Sequence, residues 1–259
     1  MTKKYPTDLT DEQWAIIKDV FCIESSRGRP REVNMREIVN AIFYMSKAGC
    51  QWSLLPREFP PKSTVYYYFK KFTEDGSFIE ANRILRETAR IKAGRAKQPT
   101  AAIIDSQTSK SISITKDTGY DGGKKIKGRK RHIGTDIMGF LLVCVVHAAN
   151  ISDRDGAKLL LPSISNWFSK IVIIFADGGY SGNPLKDWVM KTLKWILKII
   201  KRPRKRFQVV KFRWIVERTF SWLLIHRRLS KFYEVYAKSE EAWIYIASFQ
   251  MALKRICPG

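Results

Sequence analysis

The chain of 259 residues carries 47 Lys+Arg against 24 Asp+Glu, a formal net charge of +23. Its 45% apolar and 12% aromatic content suffices for a buried core and excludes a disordered basic tail. The longest apolar stretch, residues 137–149, contains Gly139 and His147 and falls short of the roughly 20 residues a membrane span needs. Residues 1–14 offer no apolar core of a secretory signal. Cys22, Cys50, Cys144 and Cys257 are scattered, and His132, His147 and His226 have no metal-ligand spacing. Neither a disulfide framework nor a zinc site is expected, and a reducing cytoplasm is the natural compartment. A positive excess of this size points to a polyanion partner, nucleic acid first.

The first hundred residues read as helical. Thr10 with Gln13 makes a capping-box pattern, followed by Trp14, Ile17 and Phe21 at helical spacing. Met35, Ile38, Ile42 and Met45 form a second stripe ending at Gly49. A third helix is expected from Ser63-Thr64 to the break at Asp75-Gly76, and a fourth from Ser77 to Ile91. Short helices with a basic surface suit a helix-turn-helix-like DNA-binding module over residues 1–92. Residues 93–99, small and basic with a closing Pro99, read as a linker to a second domain over 100–259.

There the period changes. Ala101–Ile104 reads as a buried strand, and residues 131–137 and 140–148 as a hairpin around Met138-Gly139. A helix over 155–164 follows, with Asp155 as its cap, then a buried strand over 171–175. A helix opened by Pro184, a strand over 195–200 and long helices over 213–229 and 239–256 complete the chain. The order β-β-β-α-β-α-β-α implies an α/β fold with a mixed central sheet. Trp188 and Trp195 are expected in its packing. His132 reads as a phosphate contact or as the surface start of a strand.

The charge is uneven. Residues 1–100 hold 18 basic and 12 acidic residues, residues 101–170 hold 11 and 6, and residues 171–259 hold 18 and 6. Two runs stand out: Lys124, Lys125, Lys127, Arg129, Lys130 and Arg131, then Arg202, Arg204, Lys205 and Arg206. Both flank a few acids, so phosphate contact is the expected role. Asp105 ends the first apolar strand and Asp177 the second, where ligands gather in open α/β sheets. Glu217 stands on an expected helix, four residues after Arg213, after a stretch with eleven basic residues and one other acid, Asp187. Three carboxylates at a sheet edge are suited to two divalent ions roughly 4 Å apart, the arrangement that serves phosphodiester displacement. Mg²⁺ suits hard oxygen ligands, with Mn²⁺ a substitute. Asp153 and Asp155 are possible secondary ligands.

These pieces together resemble the IS5 family of insertion-sequence transposases, within the IS4-like group of DDE transposases. The likeness rests on Asp105-Ser106-Gln107-Thr108, the run Gly119 to His132, His147-Ala148-Ala149-Asn150 with Asp153 to Ala157, Ala176 to Tyr180, and Arg213 to Phe220. In the N-terminal third it rests on Leu9 to Trp14, Gly28-Arg29-Pro30-Arg31 and Cys50 to Pro56. The resemblance implies an RNase H-like core, with Asp105, Asp177 and Glu217 as a triad binding two Mg²⁺. It implies strand cleavage by activated water and attack of the freed 3′-OH on target DNA. It also implies recognition of terminal inverted repeats on double-stranded DNA by an oligomer. The wider group carries a Tyr three residues before the Arg and a Lys seven after the Glu, positions held here by Val210 and Leu224. Arg227 and Arg228, a turn further on, are the expected substitutes, and with Arg213 they complete the phosphate-contacting set.

Overall fold

The computed structural model describes residues 5–22, 32–200 and 211–258. The Gly28–Arg31 motif, Arg202, Arg204, Lys205, Arg206 and Val210 lie outside the described residues. Four helices open the chain: α1 (Asp11–Phe21), α2 (Met35–Ala48), α3 (Lys62–Glu74) and α4 (Ser77–Lys92). The capping box forms as read: Gln13 N–H donates to Thr10 Oγ1 at 3.1 Å, and Thr10 N–H to Gln13 Oε1 at 3.2 Å. Gly49 ends α2 at φ +67°, a conformation a side chain would strain.

The second part contains β1 (Ala101–Lys110), β2 (Gly119–Asp121), β3 (Ile126–Thr135), β4 (Leu141–Ala148), α5 (Asp153–Trp167), β5 (Ile173–Ala176), α6 (Asn183–Leu193), β6 (Ile196–Ile199), α7 (Lys211–Leu224) and α8 (Ala237–Ile256). The strands form one mixed sheet in the order β2-β3-β1-β5-β6, with β4 pairing farther along the same edge of β3 as β2, opposite β1. β1 runs antiparallel to β3 and parallel to β5, and β5 parallel to β6. This is the mixed α/β, RNase H-like arrangement expected. It differs from the reading in the short β2 and in β3, which starts at Ile126, inside the basic run. Two further corrections are local. Ser152, not Asp155, caps α5 by accepting from Asp155 N–H. His132 is fully buried and touches neither phosphate nor surface.

Side-chain alternation along the strands divides the molecule into two layers. Ala102, Ile104, Ile174 and Ala176 pack with α5 and α6, where Trp195 is buried and Trp188 packs alongside. Ile103 and Phe175 face the other way, into a core shared with α7, α8 and all four N-terminal helices. α8 joins the two parts of the chain. Its Trp243 stacks on Phe69 of α3 at 4.6 Å, while its Glu241 accepts Val146 N–H of β4 at 2.8 Å. Across the same junction, Asn82 of α4 donates to Leu141 O at 2.9 Å.

One acid in this core is unusual. Glu240 is fully buried, neither carboxylate oxygen has a hydrogen-bond partner among the described residues, and burial pushes its pKa up to about 8. Nearby Arg131 pulls the other way and does not offset burial. Between pH 4.5 and 8 the folded state therefore binds the proton that the unfolded state releases, so this group makes stability fall as pH rises through that window. Glu240→Gln is expected to flatten this fall, giving about 2 kcal/mol more stability than the parent near pH 9 and little difference near pH 5, measured by urea unfolding.

Candidate active site

The parallel register pairs Ile103 with Phe175, so two residues on Asp105 of β1 comes level with Asp177, just past the end of β5. Neighbouring strands lie about 4.8 Å apart, and both aspartates share the parity of Ile103 and Phe175. They therefore face the layer that α7 covers. α7 is pinned there by Phe212, whose ring stacks on Phe175 at 4.0 Å, and by buried Ile215, Val216 and Phe220.

One turn along α7, Arg213 and Glu217 meet this pair. Arg213 Nε donates to Glu217 Oε1 at 2.6 Å, and its Nη1 lies 3.6 Å from Asp177 Oδ2. Asp177 Oδ1 accepts Gly179 N–H at 2.8 Å, which closes the turn after β5. Asp105 Oδ1 accepts its neighbour's N–H, that of Ser106, at 2.7 Å. Burial, helped by the charge of Asp177, nevertheless pushes the Asp105 carboxyl up to about 7. The structure thus brings Asp105 and Asp177 together directly, and Glu217 to them through a guanidinium. Among the described residues no three His, Cys, Asp or Glu side chains stand close enough to hold a metal ion as they are. Arg213 occupies the place between the acids.

Asp153, a secondary-ligand candidate from the sequence, stands beside this site. At the first turn of α5, its Oδ1 accepts from Ser106 Oγ at 2.7 Å and from Lys130 Nζ at 2.9 Å. A Cβ at Gly179 would sit 3.0 Å from Asp153 Oδ2 and 3.1 Å from Asp177 Oδ1, so glycine there lets the two carboxylates converge. Behind them runs a buried chain of rings. His147 Nδ1 is 2.9 Å from the Ala148 carbonyl, which only accepts, so that nitrogen carries the proton. Burial holds both histidines neutral. His147 Nε2 therefore accepts from His132 Nδ1 at 2.9 Å, and His132 Nε2 accepts from Tyr180 Oη at 2.6 Å. Gly156 makes room, since a Cβ there would be 2.4 Å from the His132 ring. The chain anchors Tyr180, three residues after Asp177. Sequence reasoning missed it because its members lie on β3, β4 and the turn after β5.

The expected phosphate-contacting residues divide. Lys124, Lys125 and Lys127 are exposed on the β2–β3 hairpin, which extends the sheet past Asp105, and Arg227 is exposed after α7. Arg129, Lys130, Arg131 and Arg228 correct the expectation. Arg129 donates to the carbonyls of Lys116, Glu234 and Val235, and Arg131 to that of Leu229. Lys130 pairs with Asp153, while Arg228 donates to Glu234 and the Cys50 carbonyl. Three cations of the run 124–131, and Arg228 after α7, are therefore used inside the protein. Arg213 is held by Glu217 and Asp177.

Residues 96–249 match the model of the transposase DDE domain family, and residues 9–82 match that of a family described as transposases of the IS4/5 family. The chain belongs to the DDE transposases of the IS4/5 family. No curated protein matches it. The first match spans β1 to most of α8 and contains all three acids; the second covers α1 to α3 and the start of α4. Membership in this family brings DNA as the partner and DNA strand breakage as the class of chemistry. No helix among the described residues is long and apolar enough to cross a membrane.

Proposed function

We propose that the chain cuts and joins the ends of its own insertion sequence, with Asp105, Asp177 and Glu217 as the ligands of two Mg²⁺ ions. One observation carries this reading. Two strand-end aspartates, level in register, face the helix that bears Glu217, and the group seated among them is a cation, Arg213. The donor set is hard oxygen, which Mg²⁺ prefers, and Asp105 and Asp177 repel each other, so a bound cation would relieve them. Bound there, the ions supply an activated attacking oxygen and a stabilised leaving oxygen.

The remaining work falls to the chain's own groups. The Ser106 N–H and the Gly179 N–H fix the two aspartates. Arg213 keeps Glu217 aligned with Asp177 and is free to turn to a DNA phosphate when its place is taken. Lys130 and Ser106 hold Asp153 beside them. Lys124, Lys125 and Lys127 lie where a duplex crossing the sheet end would run. The N-terminal helices recognise the inverted repeats, and two or more copies bridge two ends.

The test uses the purified chain, Mg²⁺, a duplex carrying the inverted repeats that flank its gene, and a supercoiled target. The expected result is a covalent joint between a repeat's 3′ end and target DNA. Cut ends without a joint would make the chain a nuclease. Salt-sensitive binding with neither product would leave only a DNA-binding protein.

A further inference from the structure

One residue past Glu217, and so about 100° around α7, a different surface begins. The Arg218 guanidinium is sandwiched between Trp214 and Trp222, 4.5 and 4.4 Å from their ring centroids. Arg255 of α8 covers Phe140 at 4.4 Å and reaches Trp222 at 5.6 Å. Trp214 is 46% exposed and Ile225 55% exposed, although both belong to residue types normally covered. Beside Trp222 opens a cavity of about 270 Å³, whose walls include Ile225, Gln250, Lys47, Lys254 and Arg255.

Two features of this face are unexplained by the folded chain alone. The first is charge. Among the described residues, Lys47, Arg218, Lys254 and Arg255 form no ion pair, and each lies in the field of another. Burial and then Lys254 push the Lys47 ammonium down, and Arg218 and Arg255 both donate to the Met138 carbonyl, at 3.1 and 3.4 Å. The acid whose charge acts on Arg255 is Asp136, which is already bonded to Arg90. The second is a pair of orphaned polar groups. Gln250 is 5% exposed, yet among the described residues its Oε1 has no partner, and neither has the buried Thr7 Oγ1; both residues line the cavity. Unpaired buried polar atoms and clustered like charges each cost stability, so a ligand that answers both is indicated.

We infer that this face is a second DNA-contacting surface, on which the backbone of a duplex reaching the carboxylates lies across Lys47, Arg218, Lys254 and Arg255. This rests on the proposal that DNA is cut at those carboxylates. Trp222 stands five residues after Glu217, about 7.5 Å along the helix, so one duplex spans both. A phosphate entering the cavity finds two ammonium groups, and the Thr7 hydroxyl and the Gln250 amide can each turn to donate. A second copy of the chain fits poorly. It would have to bring a cluster of acidic side chains, and the whole chain holds 24 acids against 47 bases.

The test is fluorescence anisotropy of a labelled, mixed-sequence duplex, titrated without divalent metal over a series of KCl concentrations. For Lys47→Gln/Lys254→Gln, the slope of log affinity against log salt is expected to fall by about 2, since each neutralised phosphate contributes about 0.9. Affinity near 0.1 M salt should drop about 10- to 100-fold, while Tm stays level or rises as the repulsion is relieved. Lys254→Gln alone should show about half the slope change. An unchanged slope, with the parent binding normally, overturns this inference and leaves the proposed function standing. Loss of a parental dimer by sedimentation, with the slope intact, would assign the face to a second copy instead. No binding by the parent would overturn both.

Discussion

Asp105→Asn and Asp177→Asn are each expected to lower Mg²⁺-dependent strand cleavage by about 10³-fold or more, while DNA affinity stays within about twofold of the parent. Losing one oxygen donor from a site that stabilises both attacking and leaving oxygens removes several kcal/mol, each 1.4 kcal/mol being tenfold in rate. Neither carboxylate attracts phosphate, so equilibrium binding has little to lose. A second readout separates chemistry from folding. Burial and the neighbouring Asp177 disfavour the ionised Asp105 carboxyl in the folded protein. Its raised pKa means stability is lost as pH climbs from about 4 towards 7. Asn carries no such charge, so at pH 8 Asp105→Asn should melt several degrees above the parent while its cleavage is abolished. Glu217→Gln should lose cleavage equally, because the helix position remains but the second anionic oxygen facing Arg213 is gone. Full cleavage by any of the three, in a gel assay with Mg²⁺, removes that residue from the proposed set.

Arg90→Ala is expected to destabilise the protein by about 3–5 kcal/mol. Asp136, in the turn between β3 and β4, is wholly buried. Its Oδ1 accepts the N–H groups of Met138 and Phe140 at 2.9 and 3.0 Å, and its Oδ2 accepts from Arg90 Nη1 at 2.5 Å. Arg90 itself is 5% exposed and also donates to the Ala96 carbonyl. Truncating the arginine removes the direct partner of a buried carboxylate and leaves it only the more remote charges of Arg86 and Arg255, which costs far more than the intact pair contributes. Asp136→Asn keeps one carbonyl oxygen for the turn and removes the charge. The double variant Arg90→Ala/Asp136→Asn should therefore recover at least half the loss. Urea unfolding with an unchanged m value is the measurement. An additive double variant would mean that the two side chains act independently.

Where a local signal had a local cause, the fold was legible in the sequence. Thr10 with Gln13, the stripe ending at Gly49 and the break at Asp75-Gly76 each act within a few residues, and each appears in the structure. Asp105 and Asp177 were legible as strand-end acids because an apolar run followed by an acid reports a rim whatever the tertiary context. Their pairing was not, since it depends on the β1–β5 register across some 70 residues. The run 124–131 misled for the same kind of reason. Arg129 and Arg131 are as basic as their neighbours, and only the distant carbonyls of Val235 and Leu229 turn them inward. Long stems let these side chains be buried while their heads stay paired, a state that composition does not distinguish from exposure. The His132–His147–Tyr180 chain was hidden because each member is ordinary until the sheet assembles them, whereas Asp153 was a candidate from the start and only its place beside Asp177 came from the fold.

The central place of α8 also bears on how the protein is made. Phe69 and Phe78 in the N-terminal helices, and Val146 on the sheet, all await partners on a helix that leaves the ribosome after every element it covers. The nascent chain therefore presents uncovered aromatic surface for most of its synthesis, and neither part completes its core until the last helix docks.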